Sequence, residues 1–424
     1  MDTIAALATA RGRAGVAVVR VSGPAAGAAA VAVSGLLPAP RRAALRALHG
    51  PEGLIDHGLV LWFPGPASFT GEDVVEFQTH GSVAVVGALL RALLGQPGVR
   101  AAEPGEFTRR AFEAGRMDLT EVEALADLLE AETEAQRRQA QRVLDGTAGR
   151  LVAGWRETLL DALALCEASV DFADEDVPQT LAPEARALME AVRGQIAQQM
   201  AGRAAAERLR DGFEVAIVGA VNTGKSSLLN ALAGREAAIT SARAGTTRDV
   251  IEVRLDIGGL AVTLIDTAGL RETADEVERI GIARGQDRAR VADLRIYLCD
   301  GPDDRPQTLA PDDLVVLSKA DLWQRPGISA LTGAGLAELL QQIEERLAVR
   351  TSQSAVFSHA RHFDRLTRAA AHLAAAEARL GPDPQWELAA EELRLALRAL
   401  DGLVGRVDVE DVLGRIFASF CIGK

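Results

Sequence analysis

The stretch Phe213-Glu-Val-Ala-Ile-Val-Gly219-Ala-Val-Asn222-Thr223-Gly224-Lys225-Ser226-Ser227-Leu-Leu-Asn230 decides the fold, because an apolar, β-branched run ends in a glycine loop and then turns helical. Gly219, Gly224, Lys225 and Ser226 fit the pattern G-x-x-x-x-G-K-[ST]. There the loop's backbone N–H groups and the following helix N-terminus wrap nucleotide phosphates, the lysine reaches the terminal ones, and the serine hydroxyl ligates magnesium. A bare match arises by chance now and then. The strand-like run before this one and Leu228, Leu229 and Leu232 after it supply the context the pattern needs.

Four further stretches follow in an order that suits a guanine nucleotide. Gly245-Thr246-Thr247-Arg248-Asp249 offers a threonine hydroxyl to magnesium and the γ-phosphate, at a distance from the glycine loop that suits a switch segment. Asp266-Thr267-Ala268-Gly269 closes an apolar run with an aspartate for the metal shell and a glycine whose N–H can face the γ-phosphate. In Ser318-Lys319-Ala320-Asp321 the aspartate can accept from guanine N1–H and N2–H together, which adenine cannot match, while the lysine stem covers the base. Asparagine is the usual residue at 318. Ser329-Ala330 supplies a backbone N–H for guanine O6.

Composition points the same way. Only three of the 46 basic residues are lysines, Lys225, Lys319 and Lys424, and the only asparagines are Asn222 and Asn230. In so arginine-rich a chain, lysine is left where a compact ammonium does what a planar guanidinium cannot. The formal net charge of −13 argues against broad nonspecific nucleic-acid binding by the chain alone. Cys166, Cys299 and Cys421 are spaced unlike metal ligands or a disulfide framework, and no apolar run is long enough to span a membrane, so a cytoplasmic location without membrane association is expected.

Working outward, the sequence predicts an α/β and α+β multidomain chain. Residues 1–116 alternate strand-like runs (15–21, 58–63, 73–78) with alanine-rich helical ones (25–33, 83–94), an α+β domain. Its polar segments, 103–110 among them, read as turns. Residues 117–211 carry long amphipathic helical patterns, 212–350 form the nucleotide domain, and helices resume over 351–424. A nucleotide domain flanked by helices on both sides is most simply an insertion into one helical bundle. The last helix, with Val409, Val412, Ile416 and Phe417 on one face, is expected to dock on that bundle.

Leu270 occupies the place after Asp-x-x-Gly where Ras-type GTPases use a glutamine to orient water. Either a partner completes the site or an acid among Glu272, Asp275, Glu276 and Glu278 does, and a monovalent cation could supply the missing positive charge.

Asp2-Thr-Ile4, Phe69-Thr-Gly-Glu-Asp73, Pro104-Gly-Glu-Phe-Thr-Arg-Arg-Ala-Phe112, the run Asp266 to Gly281 and the ending Phe420-Cys-Ile-Gly-Lys424 together resemble the MnmE (TrmE) family of bacterial tRNA modification GTPases, over nearly the whole chain. The resemblance implies an N-terminal domain that dimerises and binds a 5-formyl- or 5,10-methylene-tetrahydrofolate, a helical domain, and an inserted Ras-like P-loop GTPase domain activated across potassium. It implies that Asn222, Ser241, Thr246 and the backbone of Arg243 hold potassium, Ser226 and Thr247 hold magnesium, and Glu278 positions water. Arg20, Glu76, Arg116 and Lys424 would hold the folate. The homodimer would join the FAD-containing MnmG in a heterotetramer that adds a (carboxymethyl)aminomethyl group to C5 of wobble uridine in tRNA.

Two departures from the family pattern stand out: the loop 241–244 has no acidic residue and carries Arg243 at a usually isoleucine-like position, and Arg116 replaces a frequent lysine. For Cys421 two readings stand, a small buried hydrophobe or a nucleophile toward the uridine ring. The rival class, an Era- or EngA-like ribosome-assembly GTPase, shares the GTPase motifs but usually carries an RNA-binding domain, which nothing here resembles.

Overall fold

The computed structural model describes residues 2–171, 180–234, 238–239, 252–266, 288, 290–301, 304, 309–323, 325–351, 354–407, 410–420 and 423. The chain divides into two compact units, residues 1–126 with 401–424, and residues 127–400.

The first unit is built on β1 (Thr3–Leu7), β2 (Ala14–Ser22), α1 (Ala26–Ser34), β3 (Ala44–Gly50), β4 (Gly53–Phe63), β5 (Val74–Gly81), α2 (Val83–Leu94), β6 (Val99–Ala101) and α3 (Glu106–Glu113). Its sheet runs β3-β4-β5-β2-β1-β6, antiparallel except for the β1–β6 pair. One face buries Val19, Val21, Val60, Val75 and Phe77 under α1 and α2. Ser82 caps α2 by accepting from the Val85 N–H at 3.1 Å, so this helix begins where the sequence pattern starts it. On the other face Ile4, Ala6, Ala102 and Phe107 form a smaller core.

Several strands escape the alternation rule. β1 is buried on both faces and shows no period of two, and β3, Ala-Leu-Arg-Ala-Leu-His-Gly, has helix-favouring residues held extended by pairing with β4. The segment 103–110, expected as a turn, instead opens α3 from Gly105, which sits at φ 67. A Cβ there would stand 2.8 Å from the Phe417 carbonyl oxygen, so this left-handed glycine both starts the helix and admits the C-terminal helix α14 (Glu410–Ser419).

That last helix packs through Phe417 and Phe420 on Val122 of α4 (Leu119–Glu130), within the helical stretch 117–211, and also on Phe112 and Met117. The side chains of Val409 and Val412 lie outside the described residues. Gly405, at φ 86, turns the chain tightly over Leu119 and Phe112.

In the second unit α5 (Glu134–Leu144), α6 (Thr147–Asp171), α7 (Leu181–Ala201) and α8 (Arg203–Asp211) precede the nucleotide domain. That domain contains β7 (Phe213–Val218), α9 (Lys225–Ala233), β8 (Glu252–Ile257), β9 (Leu260–Asp266), β10 (Leu294–Cys299), β11 (Leu314–Leu317), α10 (Ala320–Trp323) and α11 (Leu336–Thr351). After it come α12 (Ala360–Arg379) and α13 (Trp386–Val404). The segments on the two sides of the domain pack together: Arg193 of α7 pairs with Glu377 of α12 at 2.8 Å, and the ring of Phe357, just before α12, lies 6.0 Å from that of Trp155 in α6.

The sheet runs β11-β10-β7-β9-β8, parallel except for the β8–β9 hairpin. Its central strands are apolar on both faces, as a sheet covered by helices requires. The C-terminal ends of β7, β9, β10 and β11 therefore converge on one edge, where open α/β sheets bind ligands.

Candidate nucleotide site

The loop between β7 and α9 takes its shape from residues that only certain side chains allow. A Cβ on Gly219 would land on the Leu298 carbonyl oxygen. Asn222 sits at φ 65 and Gly224 at φ 93, left-handed positions that asparagine and glycine tolerate best. Thr223, buried, donates to the Ala220 carbonyl at 2.9 Å and closes the turn.

Lys225 opens α9 and is 4% exposed, its ammonium donating to the carbonyls of Gly219 at 2.8 Å and Ala220 at 2.6 Å. Burial pushes this ammonium below the usual lysine range, while Asp266 pulls it back up. The charge is thus held inside the loop that would surround phosphates. Next to it the Ser226 hydroxyl donates to Asp266 Oδ2 at 2.7 Å, joining the helix start to the end of β9. A hydroxyl and a carboxylate are the hard oxygen donors magnesium takes.

The loop 318–321, expected to meet the base, is pinned from both sides. Ile328 N–H donates to Leu317 O at 2.8 Å and Ala320 N–H to Ile328 O at 3.0 Å, tying 318–321 to the loop that carries Ser329 and Ala330. Ser329 is fully buried and accepts from Thr332 N–H at 3.2 Å. Lys319, at φ 52, pairs with Asp300 at 2.8 Å, and Asp321 is exposed at the first turn of α10. Asp300 escaped sequence reasoning, since its only signal is a position just after β10. Ser227 is exposed at the third position of α9.

Ser241, Arg243, Thr246, Thr247, Thr267, Ala268, Gly269, Glu278, Cys421 and Lys424 lie outside the described residues, as does most of the acidic connection 171–176.

In the first unit, strand register sets Arg20 opposite Glu76, and the two form an ion pair at 2.9 Å. The guanidinium lies 5.7 Å from the ring centroids of both Phe69 and Phe107, two aromatics that sequence reasoning did not single out. Arg116 lies beside Gly71, whose Cβ would stand 3.8 Å from Arg116 Cγ. Gly423, at φ 100, rests against β1, where a Cβ would land on the Leu7 carbonyl oxygen. Since Ala6 of β1 is the register partner of Arg20, the penultimate residue of the chain lies beside the strand that pairs with Arg20's own.

The sheet order, the glycine loop around a buried lysine, and the paired loops at 318–321 and 328–330 define a P-loop nucleotide-binding protein of the GTPase class. The MnmE helical-domain family matches residues 119–421, and the N-terminal family of the GTP-binding protein TrmE matches residues 3–116. The chain is 56% identical to a protein named tRNA modification GTPase MnmE from Cereibacter sphaeroides strain ATCC 17025, and 54% identical to one of that name from Roseobacter denitrificans, with 100% of both chains covered in each case. The chain belongs to the MnmE (TrmE) family of tRNA modification GTPases. The match over 3–116 decides against the ribosome-assembly reading, which has no place for that domain.

Proposed function

We propose that this chain is a potassium-activated GTPase that works with the FAD-containing MnmG to add a (carboxymethyl)aminomethyl group to C5 of the wobble uridine of certain tRNAs, with one carbon taken from a tetrahydrofolate. The observation that carries this reading is the end-to-end likeness to proteins named tRNA modification GTPase MnmE. Ser226 and Asp266, joined at 2.7 Å, support a magnesium site completed by Thr247. Magnesium there would neutralise charge on the β- and γ-phosphate oxygens. Asn222, exposed in the loop at φ 65, would join Ser241, Thr246 and the backbone of Arg243 around potassium, and Glu278 would position the water that Leu270 cannot.

Arg20, Glu76 and Arg116 would hold a 5-formyl- or 5,10-methylene-tetrahydrofolate, with Lys424 adding an ammonium. Glu76, held by Arg20 at 2.9 Å, would give the pterin's N–H edge an acceptor. The working form is a cytoplasmic homodimer, assembled with MnmG into a heterotetramer that acts on tRNA.

Mass spectrometry of tRNA nucleosides from a strain lacking the chain tests the whole reading: the C5-modified uridines should vanish and return with the chain restored. Unchanged nucleosides would end it. GTP turnover at equal ionic strength tests the cation; it should be about 10²-fold faster in potassium than in sodium, the size of effect that one charge-stabilising group supplies.

A further inference from the structure

Ser318 stands where the guanine loop usually carries asparagine, and its hydrogen bonds are defined. Its Oγ donates to the Cys299 carbonyl at 2.9 Å, its N–H donates to the same carbonyl at 2.8 Å, and the residue is 4% exposed. A hydroxyl has one proton. With that proton on Cys299 O, Ser318 offers only lone pairs to whatever lies in front of it. Swinging the hydroxyl away would take a bond from a buried carbonyl, and the loop is pinned on both sides through Leu317, Ala320 and Ile328.

Along its edge guanine presents N2, N1, O6 and N7 in that order. The N1 and N2 donors suit Asp321, and O6 suits the Ala330 N–H, the Ser329 N–H being held by the Ala334 carbonyl at 3.0 Å. N7, an acceptor, is then left to residue 318, three positions before Asp321 on the same loop. An acceptor facing a serine with no proton to give makes no hydrogen bond. An asparagine amide has two protons, enough for the Cys299 carbonyl and for N7 together. We propose that Ser318 makes this site blind to guanine N7, so that the base is read through N1, N2 and O6 alone and nucleotides altered at position 7 are accepted as substrates.

The proposal deepens the guanine reading and rests on it. Affinities of the full chain for GTP and for 7-deaza-GTP, in which a C–H replaces N7, should agree within about twofold. Ser318→Asn should favour GTP over 7-deaza-GTP by roughly two- to tenfold, the worth of one hydrogen bond. Ser318→Ala should weaken both nucleotides together and leave their ratio near one. A wild-type preference for GTP above about threefold overturns the proposal, and so does an unchanged ratio in Ser318→Asn or a shifted one in Ser318→Ala. Inosine triphosphate, which lacks the N2 amino group, is measured alongside; it tests Asp321 and not Ser318, so the two readings fail distinguishably.

Discussion

The nucleotide site and the Arg20–Glu76 site are assembled in opposite ways. Asn222 to Ser227 come from one loop and one helix start, and their positions follow from consecutive backbone conformations at Gly219, Asn222 and Gly224. Arg20 and Glu76 are 56 positions apart and meet only because β2 and β5 pair in one register. A local site is robust to changes elsewhere in the chain and fragile at its own glycines and lysine. A register-built site depends on the sheet around it, and a slip of one residue in either strand would turn that strand's side chain to the face opposite its partner's.

The largest expected effect is on the local side. Lys225→Ala should lower kcat/KM for GTP by about 10²- to 10³-fold, because the buried ammonium is the fixed charge of the phosphate loop. Calorimetric binding of 5-formyltetrahydrofolate should stay at the wild-type level. A parallel fall in folate binding would erase the contrast between the two sites.

The next effect is on the stability of the register-built unit. Burial would raise the Glu106 carboxyl, but Arg100, the Glu103 N–H and Arg110 outweigh it and hold the group at about 2, against an ordinary 4.5. Since the folded value lies below the unfolded one, the stabilisation is complete above about pH 4.5 and is lost as the pH falls from there through about 2. Its size is at most about 3 kcal/mol. Glu106→Gln should therefore lower stability at neutral pH and flatten the acid limb of the unfolding curve in that window. A mutant curve parallel to wild type would remove Glu106 from the account.

How much was legible follows the same divide. The phosphate loop, the order of motifs and helix α2 could be read directly, because each is written in consecutive residues with a capping or turn reason. β1 could not, because burial on both faces removes alternation, and β3 could not, because pairing overrides its helical composition. The polar run at 103–110 looked like a turn because its helix begins at a left-handed glycine whose reason, Phe417, is over 300 positions away. Arg20, Glu76 and Arg116 were expected at a folate site only through family resemblance; the spacing of Arg20 and Glu76 gives no sign that β2 and β5 set them side by side. Phe69, Phe107 and Asp300 were missed for that reason.

The tail offers a test of intermediate size. Gly423 is left-handed and has no room for a Cβ beside Leu7, so Gly423→Ala carries a local penalty of about 1–3 kcal/mol. That is enough to lift the end of the chain off β1 in most molecules. Binding of 5-formyltetrahydrofolate should fall about tenfold or more with basal GTP turnover unchanged, and a chain cut after Phe420 should behave likewise. Full folate binding by both variants would take the tail out of that site.

The smallest effect bears on whether the Arg20–Glu76 pair acts as a charge or as a shape. Their side chains are 18% and 19% exposed, so water screens the pair in part and its Coulombic worth is modest. Arg20 does more than neutralise Glu76: its Nε donates to the carboxylate at 2.9 Å while the guanidinium plane lies near the rings of Phe69 and Phe107. A lysine keeps the charge but has neither the planar face nor a second fixed donor. A double-mutant cycle of Arg20→Ala with Glu76→Ala should yield a coupling of about 1 kcal/mol in unfolding stability. Arg20→Lys should recover less than half of that coupling, and should bind 5-formyltetrahydrofolate nearly as poorly as Arg20→Ala. If lysine restored both, charge alone would be the operative property, and the strand register that aims the guanidinium would matter no more here than local spacing does at the phosphate loop.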